Sequence, residues 1–313
     1  MLNLSSLRDD LIKKKVLVIG GLNVDVIFSY EREPANDGCE IISELFHVPG
    51  GHAANCASAL SKLGVNTWVA GAVGNDAEGR FLLEDLAKNN IHADFVAVVD
   101  QITGKVIIPK SSLKHSMFMF RGANDNPEII NTLKKIDFEM FDCVVVFDPA
   151  FEVIDLLISL NIKPKTFTVW NPGGVLTKST SIMKRLLFPK ALIFNNVEFK
   201  SVSQMPSFQK SSLLQKNDPL KLIVTQGSLG SMLISNSELH FDAFEVVSID
   251  PTGAGDAFTA GYSIMEMLNQ KIEVCMRFGN LLGGLATRGI GARATLPDFF
   301  EIEKWEDKIY DSE

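Results

Sequence analysis

The densest group of residues able to do chemistry is Asp250-Pro251-Thr252-Gly253-Ala254-Gly255-Asp256-Ala257-Phe258. It follows an apolar, strand-like stretch at residues 244–249. It opens a segment in which Phe258, Tyr262, Met265 and Leu268 recur at helical spacing. The glycines are therefore predicted at a strand-to-helix turn, where glycine lets a ligand approach the main chain closely. The first N–H groups of a helix have no internal partners, and the helix dipole directs its positive end to the same spot. A phosphate suits that geometry. Asp256 falls in the first turn, where a carboxylate serves as a cap. Beside a phosphate-binding nest the same carboxylate is placed to take a proton from a hydroxyl nucleophile. The local pattern fits both roles.

A second glycine cluster, Gly50-Gly51-His52-Ala53-Ala54-Asn55, precedes a predicted helix over residues 53–63. Its backbone N–H groups can approach a ligand, and Asn55 offers both a donor and an acceptor. A tight turn with small residues for packing explains the same letters. Asn23 and Asp25 lie just beyond the first strand. Alternate polar residues there can grip a polyol, although turns use the same types. Other chemistries lack their patterns. There is no GxxxxGK[ST], no GxGxxG after the first strand and no GxSxG elbow. The histidines His47, His52, His92, His115 and His240 show no metal-ligand spacing.

The elements that must position these residues read as alternating strands and helices. Residues 16–19 form an aliphatic run stopped by Gly20-Gly21, the mark of a buried parallel strand. Similar strands are predicted at residues 67–71, 143–147, 166–170, 191–194 and 221–225. Helices are predicted at 53–63, 79–89 and 151–160. Such alternation implies right-handed crossovers and a mainly parallel α/β sheet covered on both faces. Residues 29–48 and 96–121 break the pattern. Strand character at 40–47, 105–109 and 116–120 predicts a small β-sheet beside the main one, a lid over a cleft, or else an edge extension of the main sheet. The predicted main domain is then 1–28, 49–95 and 122–313, and the lid 29–48 and 96–121. Residues 201–218, rich in Ser, Gln and Lys, read as an exposed irregular connection.

Composition narrows the class. The chain has 313 residues, 46% of them hydrophobic, with 30 Lys and Arg against 38 Asp and Glu, a net charge of −8. That balance disfavours a nucleic-acid partner, which needs clustered basic residues, but it leaves room for a small anion in a local site. Cys39, Cys56, Cys143 and Cys275 form no CxxC, which points away from a disulfide framework and toward a reducing compartment. The first residues lack the apolar block of a signal peptide, and no apolar run approaches the roughly 20 residues of a membrane span. A cytoplasmic protein without a membrane partner is expected.

Together these segments resemble the ribokinase-like carbohydrate and nucleoside kinases, the phosphofructokinase-B group, over nearly the whole chain. Residues 50–55 resemble that family's first signature and residues 250–256 its second. Between them, Gly71, Gly74, Asp76 and Gly79 fit its Gly-x-x-Gly-x-Asp-x-x-Gly. Asn195-Asn196-Val197-Glu198 fits its Asn-x-x-Glu, and Thr225-Gln226-Gly227-Ser228-Leu229-Gly230 its Thr-x-Gly-x-x-Gly. The resemblance implies a three-layer α/β/α fold with a β-sheet lid. It implies transfer of the ATP γ-phosphoryl group to a hydroxymethyl group of a sugar or nucleoside. Asp256 would be the base, and the N–H groups of Gly253, Ala254 and Gly255 the anion hole. Asn195 and Glu198 would organise Mg2+ through water. Thr225, Gly227 and Gly230 would line the nucleotide site, and Asn280 would lie near the adenine. Asn23, Asp25, Gly50, Gly51 and Asn55 would hold the acceptor. A monovalent cation, K+, would sit among Asp250, Thr252, Thr295 and carbonyls of the loop containing Leu285, Arg288 and Gly291. The chain departs from ribokinase in carrying His52 where lysine is usual, and Asp148 stands near the place of an acidic sugar contact. Phe118 and Phe120 alternate, so one lid face is apolar and suits a sugar, a base or a second subunit's lid in a homodimer. The rival reading is a non-catalytic sugar or nucleotide sensor on the same fold.

Overall fold

Along Lys15–Ile19 the apolar side chains divide between two faces: Val16 and Val18 join one core, Leu17 and Ile19 another. The strand is thus buried on both sides, and the same holds at Cys143–Phe147. In this computed structural model, which describes residues 4–32, 34–110, 116–162, 166–208, 220–235 and 237–310, these two strands are neighbours in the interior of a large sheet.

The strands are β1 (Lys15–Ile19), β2 (Asn23–Ser29), β3 (Leu45–Gly50), β4 (Asn66–Gly74), β5 (His92–Val99), β6 (Gly104–Lys110), β7 (Phe118–Phe120), β8 (Cys143–Phe147), β9 (Phe167–Asn171), β10 (Ala191–Asn195), β11 (Lys221–Thr225), β12 (Ser231–Ile234) and β13 (Glu238–Phe241). The large sheet runs β13-β12-β11-β10-β9-β8-β1-β4-β5. It is parallel except at the β11–β12 and β12–β13 pairs. The helices that carry the site are α1 (His52–Lys62), α2 (Ala77–Lys88), α3 (Asn196–Ser203), α4 (Ala254–Met267) and α5 (Ile272–Ala286). On one face α1, α4 and α5 bury Leu60, Tyr262, Met265, Phe278 and Leu282 against Val16, Val18 and Val145. The other face packs Trp170, Phe194 and Ile154 on Leu17, Ile19 and Val146. The three-layer α/β/α architecture is as the sequence implied.

The small sheet has the order β3-β2-β6-β7. Strand β2 is the parallel neighbour of β6 and the antiparallel neighbour of β3, pairing Asn23 with both Gly50 and Gly104. The strand expected at residues 40–47 begins at Leu45 and continues to Gly50, because its register follows β2 from Phe28 back to Asn23. Residues 111–115 of the β6–β7 connection and 209–218 of the expected irregular connection lie outside the described residues.

Some expectations fail: residues 23–28, expected in the main domain, lie in β2 of the small sheet, and residues 96–99, expected in the lid, lie in β5 of the large one. Residues 244–249 form no strand. The N–H groups of Ile249 and Asp250 both donate to the Thr287 carbonyl, at 2.7 and 3.0 Å. The segment is therefore tied to the end of α5 rather than to a sheet neighbour, and the glycine turn joins an irregular segment to α4. No helix among the described residues is long and apolar enough to cross a membrane.

Candidate active site

In the large sheet, β1 connects onward to β4 on one side while β8 lies on its other side. The strand order thus reverses between the parallel neighbours β1 and β8, and ligands of open α/β sheets bind outside the carboxyl ends of the strands at such a point. The polar residues collect there: Asn23 and Asp25 after β1, Asp148 after β8, Asn195 and Glu198 after β10, and Thr225 at the end of β11.

Asp256, in the first turn of α4, is 3% exposed. His52 Nδ1 lies 2.8 Å from its Oδ1, and Asn55 Nδ2 donates to its Oδ2 at 2.8 Å. Both partners come from the first turn of α1, so the two glycine signatures meet at this carboxylate. Arg293 fixes the Asn55 amide. Its Nε donates to Asn55 Oδ1 at 2.8 Å, which leaves the NH2 end to face Asp256. The Arg293 guanidinium also donates to the Gly50 carbonyl at 2.9 Å and pairs with Asp85 of α2. The charge of Asp256 raises the pKa of the half-exposed His52 imidazole, which stacks on Phe147. Each carboxylate oxygen keeps a second lone pair for a substrate hydroxyl.

Two cavities meet at the turn before α4. One, ≈ 350 Å³, is bounded by Thr225, Gly227, Gly230, Ala254, Gly255 and Asn280. The other, ≈ 470 Å³, is bounded by Asn23, Asp25, Gly51, Asn55, Gly253 and Asp256, with Val106, Ile108, Met117 and Met119 of the small-sheet region opposite. Residues 252–256 are the wall between them. Gly253 adopts φ +81°, and a side-chain carbon there would stand 2.6 Å from Ala292 Cβ. An added carbon on Gly255 would meet no atom within 4 Å, so that position opens onto the first cavity. The Ala254 N–H donates to the Pro251 carbonyl at 3.2 Å, which leaves the following N–H groups of the turn as the freer donors.

The remaining site residues divide as follows. Gly50 does not border the second cavity. It gives β3 the room to pass directly against the Asp25 carboxylate. Burial raises the Asp25 pKa to about 6. Burial also raises Asp148, which sits at φ +26°, and its Oδ1 has no hydrogen-bond partner among the described residues. Asn195 and Glu198 form a reciprocal cap on α3: Asn195 Oδ1 accepts from the Glu198 N–H, and Glu198 Oε2 from the Asn195 N–H, each at 2.9 Å. Both border the second cavity rather than the first, and burial raises the Glu198 carboxyl despite the Asn195 N–H. Asn280 borders the first cavity, but its NH2 group is spent on the Phe241 and Asp242 carbonyls, at 2.8 and 3.0 Å.

Of the groups assigned to a monovalent cation, the Asp250 carboxylate is already fully partnered. Asp250 Oδ2 accepts from Lys110 Nζ at 2.7 Å and from the Gly291 N–H at 3.0 Å. Its Oδ1 accepts from the Thr252 N–H and hydroxyl, at 3.0 and 2.6 Å. Burial opposes ionisation of Asp250, but these donors hold its pKa well below the usual carboxylate range. The Leu285 carbonyl accepts from Arg288 Nε at 3.0 Å, and the Thr295 hydroxyl donates to the Ala286 carbonyl at 2.9 Å. With the Lys110 ammonium and three further donors on it, the carboxylate at the centre of this set is not free for a metal cation.

Lys110 and Arg293 were not singled out from sequence. Their partners lie 140 residues away for Lys110–Asp250 and 238 for Arg293–Asn55, so no local spacing marks them. Phe118 and Phe120, singled out as a surface for a substrate or a second subunit, alternate with Met119 and are exposed on the outer side of the small sheet.

Residues 13–298 match the family of pfkB family carbohydrate kinases. The chain belongs to that family. It is a phosphotransferase with an alcohol group as acceptor, a carbohydrate or nucleoside kinase. The chain is 25% identical to the ribokinase of Bacillus subtilis (strain 168) over 299 residues, covering 93% of this chain and 99% of that one. Among solved structures, the Methanocaldococcus jannaschii nucleoside kinase superimposes with TM-score 0.82 at 23% identity, over 94% of this chain and 98% of that one. The Arabidopsis thaliana ribokinase, solved with ribose and ATP, superimposes with TM-score 0.78 at 22% identity, over 96% of this chain and 99% of that one.

Proposed function

We propose that this kinase moves the γ-phosphoryl group of ATP to a hydroxymethyl group of its acceptor across the wall at residues 252–256. The observation that carries this reading is the junction of the two cavities, with Asp256 on one side of the turn and Gly255 open on the other. ATP occupies the cavity of Thr225, Gly227 and Gly230, with Asn280 bracing its wall, and its triphosphate points at the N-terminus of α4. The acceptor occupies the cavity of Asn23, Asp25, Gly51 and Asn55. Asp256 takes the proton of the acceptor hydroxyl as that oxygen bonds to the γ-phosphorus. The bond from the γ-phosphorus to the β–γ bridging oxygen breaks, and ADP leaves. The N–H groups of Gly253 and Gly255, with that of Ala254 once it turns from the Pro251 carbonyl, offset the charge on the transferring oxygens. Glu198, with one carboxylate oxygen outside the α3 cap, would hold Mg2+ through water, and the ion would shield the phosphate charge.

The small sheet serves as the lid of the acceptor cavity. Its inner wall favours a nucleoside over a free sugar: Val106, Ile108, Met117 and Met119 offer an apolar surface to a base, opposite the polar Asn23, Asp25 and Asp256. Methionine adapts well to such surfaces. ADP release measured over pentoses, hexoses and nucleosides tests the acceptor, and higher kcat/KM on free sugars would reject the nucleoside. Asp256→Asn is expected to lower kcat by roughly 10²–10⁴ with ATP affinity retained. Near-normal turnover in that variant would reduce Asp256 to a helix cap.

A further inference from the structure

We propose that Lys110 is a built-in cation of the anion-binding turn, standing where the resemblance puts K+. A buried carboxylate needs a compensating positive charge. Asp250 is 3% exposed, and that charge reaches it from the last residue of β6, in the small sheet. With Lys110, Gly291 and both Thr252 donors in place, the roughly four lone-pair sites of the carboxylate are filled. A K+ ion brought against Asp250 would also meet the ammonium at close range, where like charges repel.

The placement has a mechanical meaning. Lys110 follows Val106 and Ile108 at alternate positions of one strand, and those two residues face the acceptor cavity. Its own carbonyl accepts from the Tyr30 N–H at 3.0 Å, which ties it to the end of β2. The sheet face over the acceptor therefore extends, through Lys110, to the turn that carries Gly253. A free ion can neutralise Asp250 whatever the lid does. A tethered ammonium does so only while the small sheet lies over the site. Lys110 is thus a positioning residue that couples acceptor coverage to assembly of the anion hole.

The test compares wild type with Lys110→Met in K+, Na+ and choline chlorides at equal ionic strength. Thermal midpoints are read without substrates, and ADP release is read in parallel. Wild type is expected to show no K+-selective change in either. Lys110→Met is expected to lose roughly tenfold or more in kcat in choline. K+ alone should raise its midpoint by roughly 2–4 °C and restore part of the rate. A K+-selective shift of the wild-type midpoint would overturn the proposal, as would a Lys110→Met protein indifferent to K+. If Lys110→Met does not fold, Lys110→Arg keeps the charge and should stay indifferent to K+, and a K+ response there overturns the idea. The midpoints are read on the bare protein, so they decide the cation question even if the assigned acceptor is wrong.

Discussion

Asp25 shows the conflict between stability and function in one side chain. Its carboxyl is 5% exposed, faces the acceptor cavity, and titrates near 6 instead of 3.8. The folded state therefore binds this proton more tightly than the unfolded chain does. Stability falls as pH rises from about 4 to 6, and above that window the full cost of a buried charge remains. Asp25→Asn keeps the shape and removes the charge. It is expected to stabilise the protein by about 1–3 kcal/mol at pH 7.5, with the advantage vanishing toward pH 4. The same change should raise the acceptor KM at least several-fold, since an amide replaces a charged acceptor of hydroxyl hydrogen bonds. Denaturant melts across pH 4–8 check the first part, and steady-state kinetics the second. A variant less stable than wild type at pH 7.5 would show that Asp25 is paid for locally by its neighbours.

The turn before α4 behaves as two different glycines. At Gly255 an added methyl meets no atom, so Gly255→Ala should fold at least as stably as wild type, because alanine is the better helix former by up to about 1 kcal/mol. It should nonetheless lose most of its turnover, because the methyl would point into the space where the phosphoryl group must pass. Gly253→Ala faces a left-handed backbone and a contact with Ala292, and should be destabilised by about 1–3 kcal/mol. Melting midpoints together with ADP-release rates separate the two cases, and an active Gly255→Ala would mean that no phosphate approaches there. At this scale the sequence was a good guide. Runs such as Val16–Ile19 and Val144–Phe147 announce buried strands because both faces of a parallel strand must be apolar. The glycine signatures announce α1 and α4 because each helix is entered through a glycine at positive φ, Gly51 and Gly253. Residues 244–249 misled because Phe244 and Val246 line the first cavity instead of a sheet, while Val247 and Ile249 are exposed. The side chains that orient Asp256 and Asp250, namely Arg293 and Lys110, belong to contacts that only the folded topology creates.

For the molecule as a whole, the outer side of the small sheet needs an explanation. Ile107, Phe118 and Phe120 are 41%, 62% and 49% exposed on neighbouring strands. A contiguous apolar surface beside open strand edges is a site for association. We propose that it pairs with a second copy of the chain in a homodimer. Phe118→Ser combined with Phe120→Ser should convert that dimer to a monomer in sedimentation velocity, with the midpoint of the isolated fold little changed, and a monomeric wild type would dispose of the pairing.

The two cavities are built from different stretches of the chain. The one given to the nucleotide is bounded wholly by residues between Thr225 and Thr287. The other takes its boundary from residues 23–201, apart from Thr252, Gly253 and Asp256. On the proposed assignment, donor and acceptor recognition are separable cassettes spliced at one short hinge of sequence. A chimera that keeps everything after residue 220 and borrows the preceding portion from a relative should inherit the relative's taste in alcohols while burning the same fuel.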